Sequence, residues 1–280
     1  MAKDLLYISD LDGTLLLPDG TFPKEFKQRL NHLIDKGMKF TIATARNYDS
    51  AYPILKGLNL RLPVVLFNGV YLANFHNGKI LEHTQFIDKE VVDTMLALAQ
   101  AQTIEPFIYT FGGEHQVYYR HVTNPGSIAY LASLEKDKRV KQVPEFTFQK
   151  DENVSGFLLI GTMKNLEPIY HRLKEKHFDH LNSYFAEDVS MKGYYWLQAF
   201  HQQANKGNMI EKLVDRLNFP LNKTMVFGDY LNDLDMFQVA GYSVAMENAL
   251  PAVKEYADQV IGSNSQGAVL DFLESIWMNT

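Results

Sequence analysis

The sequence predicts an α/β protein: a parallel-sheet, Rossmann-like core in two sequence pieces, with an α+β domain inserted between them. Three observations carry this. Residues 5–69 alternate short apolar runs with amphipathic stretches, in the order strand, helix, strand, helix, strand. The middle of the chain is richer in β-forming runs, broken by a glycine pair, with two helical stretches among them. The last part then returns to the first style. The expected division is 1–82 with 194–280 for the core and 83–193 for the insert, and no Gly/Ser linker marks either edge.

Taken in order, "LLYIS" (5–9) is an apolar run suited to a strand buried on both faces. In "PKEFKQRLNHLIDKG", Phe26, Leu30, Leu33 and Ile34 share one helical face, and Gly37 can end the helix. "KFTIAT" is a second strand, "DSAYPILKGL" a short helix and "PVVLFNG" a third parallel strand. "EPFIYTF" and "HQVYYRHV" form a hairpin around Gly112 and Gly113. "VSGFLLIGTM", "LNSYFAEDVSM" and "GYYWLQAF" add strands, while "DKEVVDTMLALAQAQ" and "LEPIYHRLKEKH" are helical. In "GNMIEKLVDRLNF", Ile210, Leu213, Val214 and Leu217 line one face. "TMVFGD" and "YSVAM" are strands flanking the helix "NDLDMFQVA", and "GAVLDFLESIW" closes the chain as a helix.

Composition narrows the function. With 46% hydrophobic residues in 280, a sizeable core is expected. A net charge of -6 without basic runs argues against nucleic acid as a partner. The absence of cysteine excludes disulfides, a thiolate nucleophile and a Cys-ligated zinc, and fits a reducing cytoplasm. The N-terminal stretch lacks the apolar run of a signal peptide, and no segment reaches membrane-spanning length. A cytoplasmic protein, monomeric or weakly homo-oligomeric, is expected.

Active sites of open parallel sheets lie at the carboxyl ends of the strands. Four segments follow predicted strands there: 10–14, 44–46, 68–69 and 228–233. Asp10, Asp12, Asp229 and Asp233 gathered in one crevice would repel one another, and a divalent cation with a preference for hard oxygens relieves that. Asp233 taken alone reads equally as a helix cap. Lys206 opens a helix, where the macrodipole disfavours a cation unless an acidic pocket or a phosphate sits nearby. Thr44 and Asn68 are neutral donors that suit an anionic oxygen or an ordinary turn.

"DLDGTLL", "TAR", "NKG" and "GDYLND", in that order, resemble the four motifs of the haloacid dehalogenase superfamily of phosphohydrolases. "FNGV", the long insert and the tail "SVAMENALPAVKEYADQV" with "SNSQGAVLDFL" resemble the Cof-type members with a type IIB cap. Departures are Ala45 and Glu247 where glycine is common, and Gln198 and Gln203 before the lysine motif.

The resemblance implies a Mg²⁺-dependent phosphatase acting on a small phosphorylated metabolite, sugar phosphates first. Asp10 would be the nucleophile that forms an aspartyl-phosphate, and Asp12 the acid and then the base. The 44–46 loop (Thr44, Ala45, Arg46), Asn68, Lys206 and Asn232 would hold phosphate or substrate. Asp10, the Asp12 backbone carbonyl, Asp229 and Asp233 would form or support the metal site. The cap would close over the site and select the leaving group, with Lys192, Tyr194 and Tyr195 as candidate contacts. For each aromatic, packing within the cap itself competes. Rival readings are a phosphotransferase or phosphomutase using the same intermediate and a non-catalytic phosphometabolite-binding protein. Haloacid dehalogenation has no need of Asp12 or Mg²⁺, and a receiver-type signalling module has no need of a large cap.

Overall fold

The computed structural model describes residues 2–112, 115–135, 137–188 and 191–278. The chain divides into two compact units, 1–84 with 204–280 and 85–203.

In the first unit, β1 (Leu6–Ser9) is buried along its whole length, as a central parallel strand must be. Helix α1 (Lys24–Asp35) buries Leu30, Leu33 and Ile34, and Phe26 is half-buried. Gly37, at φ +102°, lies just past its end and donates to the Ile34 carbonyl. Strand β2 (Lys39–Ile42) follows, then α2 (Tyr48–Leu55), whose cap Asn47 accepts from the Ser50 N–H. Strands β3 (Val64–Leu66), β4 (Tyr71–Ala73) and β5 (Ile80–His83) complete this piece.

The second unit runs α3 (Lys89–Ala101), β6 (Phe107–Phe111), β7 (His115–Tyr119), α4 (Pro125–Ser133), β8 (Val140–Gln142), β9 (Asn153–Gly161), α5 (Met163–His177), β10 (Leu181–Glu187) and β11 (Tyr195–His201). Its sheet has the order β10-β11-β9-β6-β7-β8, antiparallel except for the β7–β8 pair. Val91, Met95, Phe157, Leu166 and Leu197 share one buried cluster. Tyr195 packs against that cluster, Tyr194 lies against Gly126, and Lys192 is exposed. Of the expected hairpin turn, Gly113 lies outside the described residues. The units part at 84/85 and 203/204, where the sequence suggested 82/83 and 193/194. Strand β11 pairs along its whole length with β10 and over 195–199 with β9, which keeps residues 195–201 with the second unit.

Back in the first unit, α6 (Lys206–Leu217) starts at Asn205, whose side chain accepts from the Asn208 N–H. It buries Ile210, Leu213 and Val214 and leaves Leu217 half-buried. Then come β12 (Thr224–Gly228), α7 (Leu234–Val239), β13 (Tyr242–Met246), α8 (Pro251–Tyr256), β14 (Gln259–Ile261) and α9 (Ala268–Met278). The parallel sheet has the order β14-β13-β12-β1-β2.

The expected third parallel strand takes another course. Strand β3 edges a separate antiparallel sheet, β3-β4-β5, and meets the parallel sheet through a single bridge, Ala43 to Val65. Strand β2 ends at Ile42, and its line continues to β3 only at Ala43, whose bridge to Val65 is parallel, as expected, but extends no further. The reversal at Phe67–Gly69 instead brings β4 alongside β3. Among the described residues no helix is long and apolar enough to cross a membrane.

Candidate active site

The chain leaves β1 for β2 on one side and returns through β12 on the other, so the order of the parallel sheet reverses between β1 and β12. Such a switch point opens a crevice at the carboxyl ends of the two strands. Asp10 follows β1 directly and Asp229 follows β12 directly.

The Asp10 N–H donates to the Phe227 carbonyl at 2.9 Å, which ties the first loop to β12. Lys206 Nζ donates to Asp10 Oδ1 at 2.7 Å and to Asp233 Oδ1 at 2.6 Å. Asp233 Oδ2 accepts the N–H groups of Asp229 (2.8 Å) and Tyr230 (3.0 Å), so both its oxygens are engaged. Thr14 Oγ1 donates to Asp229 Oδ1 at 2.6 Å. At Gly13 the chain turns with φ +77°, and a Cβ there would stand 2.2 Å from Asp229 Oδ2. Only glycine lets the first loop pass this close to the second.

Two carboxylates, Asp10 and Asp233, therefore hold one ammonium group, with the Asp229 carboxylate close by. Among the described residues, Asp10, Asp229 and Asp233 offer oxygens that all lie within 4.8 Å of one another. Burial pushes the Asp10 carboxyl well above the usual range; Lys206 opposes this, and Asp233, Asp229 and Asp12 add to it. Burial and the charge of Asp233 push Asp229 up to about 7 against the pull of Thr14 and Lys206. Burial works against a charged Lys206, but Asp10 and Asp233 outweigh it and hold its pKa above the ordinary lysine value. The excess negative charge and the all-oxygen donor set fit a hard divalent cation. Asp10 and Asp229 each have one oxygen not taken by Lys206 or Thr14.

Asp12 stands apart from the cluster. Its carboxylate is half exposed and receives Arg46 Nε and Nη2, each at 2.7 Å. The two neighbouring aspartates are thus held by different cations, Asp10 by Lys206 and Asp12 by Arg46. Thr44 is buried and its Oγ1 accepts the Arg46 N–H at 3.1 Å, which shapes the loop carrying Ala45. Asn68 is buried beside it, with its N–H on the Thr44 carbonyl at 3.0 Å, and Asn232 Nδ2 donates to Asn68 Oδ1 at 2.9 Å.

Sequence reasoning passed over Asn248 and Asn264. Asn248 Nδ2 donates to the Gly13 carbonyl at 2.7 Å, and Asn264 Nδ2 to the Leu16 carbonyl at 2.8 Å. The Asn264 N–H closes the chain onto Asn248 Oδ1 at 3.0 Å. Together they grip the loop that holds Asp12 at Gly13 and at its far end, Leu16. The available signal was that each lies just after a strand end, β13 and β14. Asn264→Ala removes the Asn264 side-chain donor to Leu16, and thermal denaturation is expected to register a loss of about 1–3 kcal/mol.

Comparison with known proteins gives the family and the fold. A model of the haloacid dehalogenase-like hydrolases matches residues 7–273. A pyridoxal phosphate phosphatase of Escherichia coli is 28% identical, over 95% of this chain and 96% of that protein. An HMP-PP phosphatase of Serratia proteamaculans is 29% identical, over 97% and 94%. A Bacillus subtilis 5-amino-6-(5-phospho-D-ribitylamino)uracil phosphatase is 24% identical, over 97% of each. In structure, a haloacid dehalogenase-like hydrolase from Bacteroides thetaiotaomicron matches with a TM-score of 0.79 and 22% identity, over 97% and 99% of the two chains. Another, from B. subtilis, gives 0.77 and 22%, over 96% and 98%. The structural matches share the fold.

Proposed function

The chain belongs to the haloacid dehalogenase-like hydrolase family and is a phosphoric monoester hydrolase, and on that premise we propose a magnesium-dependent phosphatase acting on a small phosphorylated metabolite through an aspartyl-phosphate. The observation that carries this is the pairing of Lys206 with Asp10 beside Asp229 at the switch point.

In this reading Asp10 attacks phosphorus. An Asp10 O–P bond forms as the ester P–O bond breaks, and the leaving oxygen takes a proton from Asp12. Water then attacks the same phosphorus. Asp12 takes its proton, phosphate departs and the Asp10 carboxylate is restored. Lys206 pulls the Asp10 carboxyl toward its ionised form against the effect of its burial, and faces the phosphoryl oxygens. Thr44, the Ala45 backbone, Arg46, Asn68 and Asn232 line the same carboxyl edge and share the holding of phosphate. Asp233 orients Lys206 with one oxygen and the 229–230 turn with the other. The Asp10 carboxylate, the Asp12 carbonyl and Asp229 would hold Mg²⁺, which when bound offsets the repulsion between a carboxylate and a phosphate dianion. Residues 85–203 are assigned to selecting the leaving group. Sugar phosphates are the first substrates to try, followed by the ring-bearing phosphates named for the relatives.

The test is phosphate release from a panel of such monoesters. Wild type with Mg²⁺ is expected to turn over at least one of them, and chelation of the metal to stop it. Asp10→Asn is expected to be inactive, and turnover by that variant at the wild-type rate would sink the mechanism.

A further inference from the structure

Gly13 carries a conflict. The close approach of Asp229 Oδ2 leaves no room for a Cβ, so the position requires glycine. Glycine is also the residue that restrains its own backbone least. Asp12 (φ -73°, ψ 125°) and Gly13 (φ 77°, ψ -4°) take the angles of a type II turn. The Asp12 carbonyl, which would face Mg²⁺, is joined to the Gly13 carbonyl only through the two dihedrals of Gly13. A restraint applied from outside to the Gly13 carbonyl therefore limits the freedom of the Asp12 carbonyl.

Asn248 applies that restraint. Its Nδ2 donates to the Gly13 carbonyl at 2.7 Å. The amide is fixed in this orientation, because its Oδ1 accepts the backbone N–H of Asn264 at 3.0 Å and a backbone N–H can only donate. Asn264 is buried and is rooted in turn by its own Nδ2 on the Leu16 carbonyl. The same loop also holds the second aspartate. It folds as a tight turn, with the Ala249 N–H on the Met246 carbonyl at 3.0 Å, and the Leu250 N–H donates to the Asp229 carbonyl at 3.1 Å. Residues 248 and 250 thus take hold of Gly13 and Asp229 through backbone carbonyls, without using any carboxylate oxygen of the acidic cluster.

We propose that Asn248 is a positioning residue for the metal site: bonded to Gly13, with Leu250 bonded to Asp229, it sets the spacing between the two loops that would supply the ligands of Mg²⁺. This rests on the magnesium part of the proposed function and adds to it a residue that touches neither metal nor substrate. A positioning role and a merely structural one predict opposite rankings of two variants. Asn248 is exposed, so removing its side chain costs the fold little. Asn264 is buried, so removing its side chain leaves the Leu16 carbonyl without that donor and costs more, yet Asn264→Ala keeps the backbone N–H on which Asn248 rests.

The experiment titrates Mg²⁺ into metal-free wild type, Asn248→Ala and Asn264→Ala. Binding is read by calorimetry and by the rise in melting temperature, and phosphate release is followed against Mg²⁺ concentration alongside. Asn248→Ala is expected to weaken Mg²⁺ binding about 10-fold, the lower end for groups that orient metal ligands from behind. Excess Mg²⁺ is expected to return its phosphate release close to the wild-type rate, with the KM for the ester unmoved. Asn264→Ala is expected to lower the melting temperature of the metal-free protein more and the Mg²⁺ affinity less. Wild-type Mg²⁺ affinity in Asn248→Ala would overturn the proposal. So would an equal or larger loss of affinity in Asn264→Ala, which would assign the effect to a loosened loop rather than to the Gly13 bond. A rate in Asn248→Ala that is low at every Mg²⁺ concentration, with an unmoved midpoint, would mean a merely structural role and would overturn it as well. A wild type that binds Mg²⁺, loses affinity on Asn248→Ala and yet releases phosphate from no ester would end the phosphatase reading alone. A wild type that binds no Mg²⁺ would end both the proposal and the magnesium part of that reading.

Discussion

Replacement of Lys206 by methionine is expected to abolish measurable phosphate release and to lower the melting temperature of the metal-free protein. Lys206 is fully buried and its ammonium group lies 2.7 Å from Asp10 and 2.6 Å from Asp233, so it is the direct counterion of two buried carboxylates. Methionine keeps most of the packed stem and removes only the charge and its hydrogen bonds. Stranding one side of a buried ion pair costs on the order of 3–5 kcal/mol. The loss in rate is expected to be about 1,000-fold or more, since the same group would steady the phosphoryl oxygens as charge redistributes on them. Arginine is not expected to rescue, because a planar fork cannot occupy a pocket closed around a single nitrogen. Activity within tenfold of wild type in Lys206→Met would remove Lys206 from the site.

The parts of this arrangement legible in the sequence were those with a local signature. Apolar runs that stop abruptly at charged residues marked the ends of β1 and β12, and those ends fall at the switch point. The helix that begins at Lys206 was visible from its apolar face, and the oddity of a lysine at its start pointed to acidic neighbours. What stayed hidden was set by long-range partners. Nothing in the spacing of "GDYLND" says that one Asp233 oxygen takes Lys206 while the other takes two backbone N–H groups. Nothing in "ENA" or "SNS" says that their asparagines reach back to carbonyls 235 and 248 residues away. The β4–β5 hairpin did carry a turn signal, Asn77–Gly78, but its strands have only three and four residues, too few to show a period. That hairpin is also why "PVVLFNG" joins an antiparallel sheet: the apolar run was legible as a strand, whereas the choice of neighbour depended on a segment that was not.

The metal-free protein is expected to lose stability as pH rises through neutrality, and Mg²⁺ to restore it by an amount that grows with pH. The sign follows from the acidic cluster. Burial first, and Asp233 second, push Asp229 from 3.8 to about 7, and burial pushes Asp10 in the same direction. A carboxyl with a raised folded pKa holds its proton more tightly in the native state than in the unfolded chain. Its contribution is complete below the unfolded value, declines as the unfolded chain ionises, and is gone once pH passes the folded value. For Asp229 alone the shift from 3.8 to about 7 corresponds to on the order of 4 kcal/mol. Lys206 adds nothing in this window, since its raised pKa matters only above the ordinary lysine range. Asp137 runs the other way: side-chain and backbone hydrogen bonds from Arg139 hold it low despite its burial, and it favours the native state at higher pH. The absolute profile therefore mixes both kinds of group, and the useful quantity is the difference in melting temperature with and without Mg²⁺. That difference is expected to be small near about pH 5, where protons already neutralise the cluster, and large near about pH 8, where only a cation can. Asp229→Asn is expected to flatten it, because the variant needs neither proton nor metal at that position. A Mg²⁺ effect equal at both pH values, or one that survives Asp229→Asn unchanged, would place the cation elsewhere.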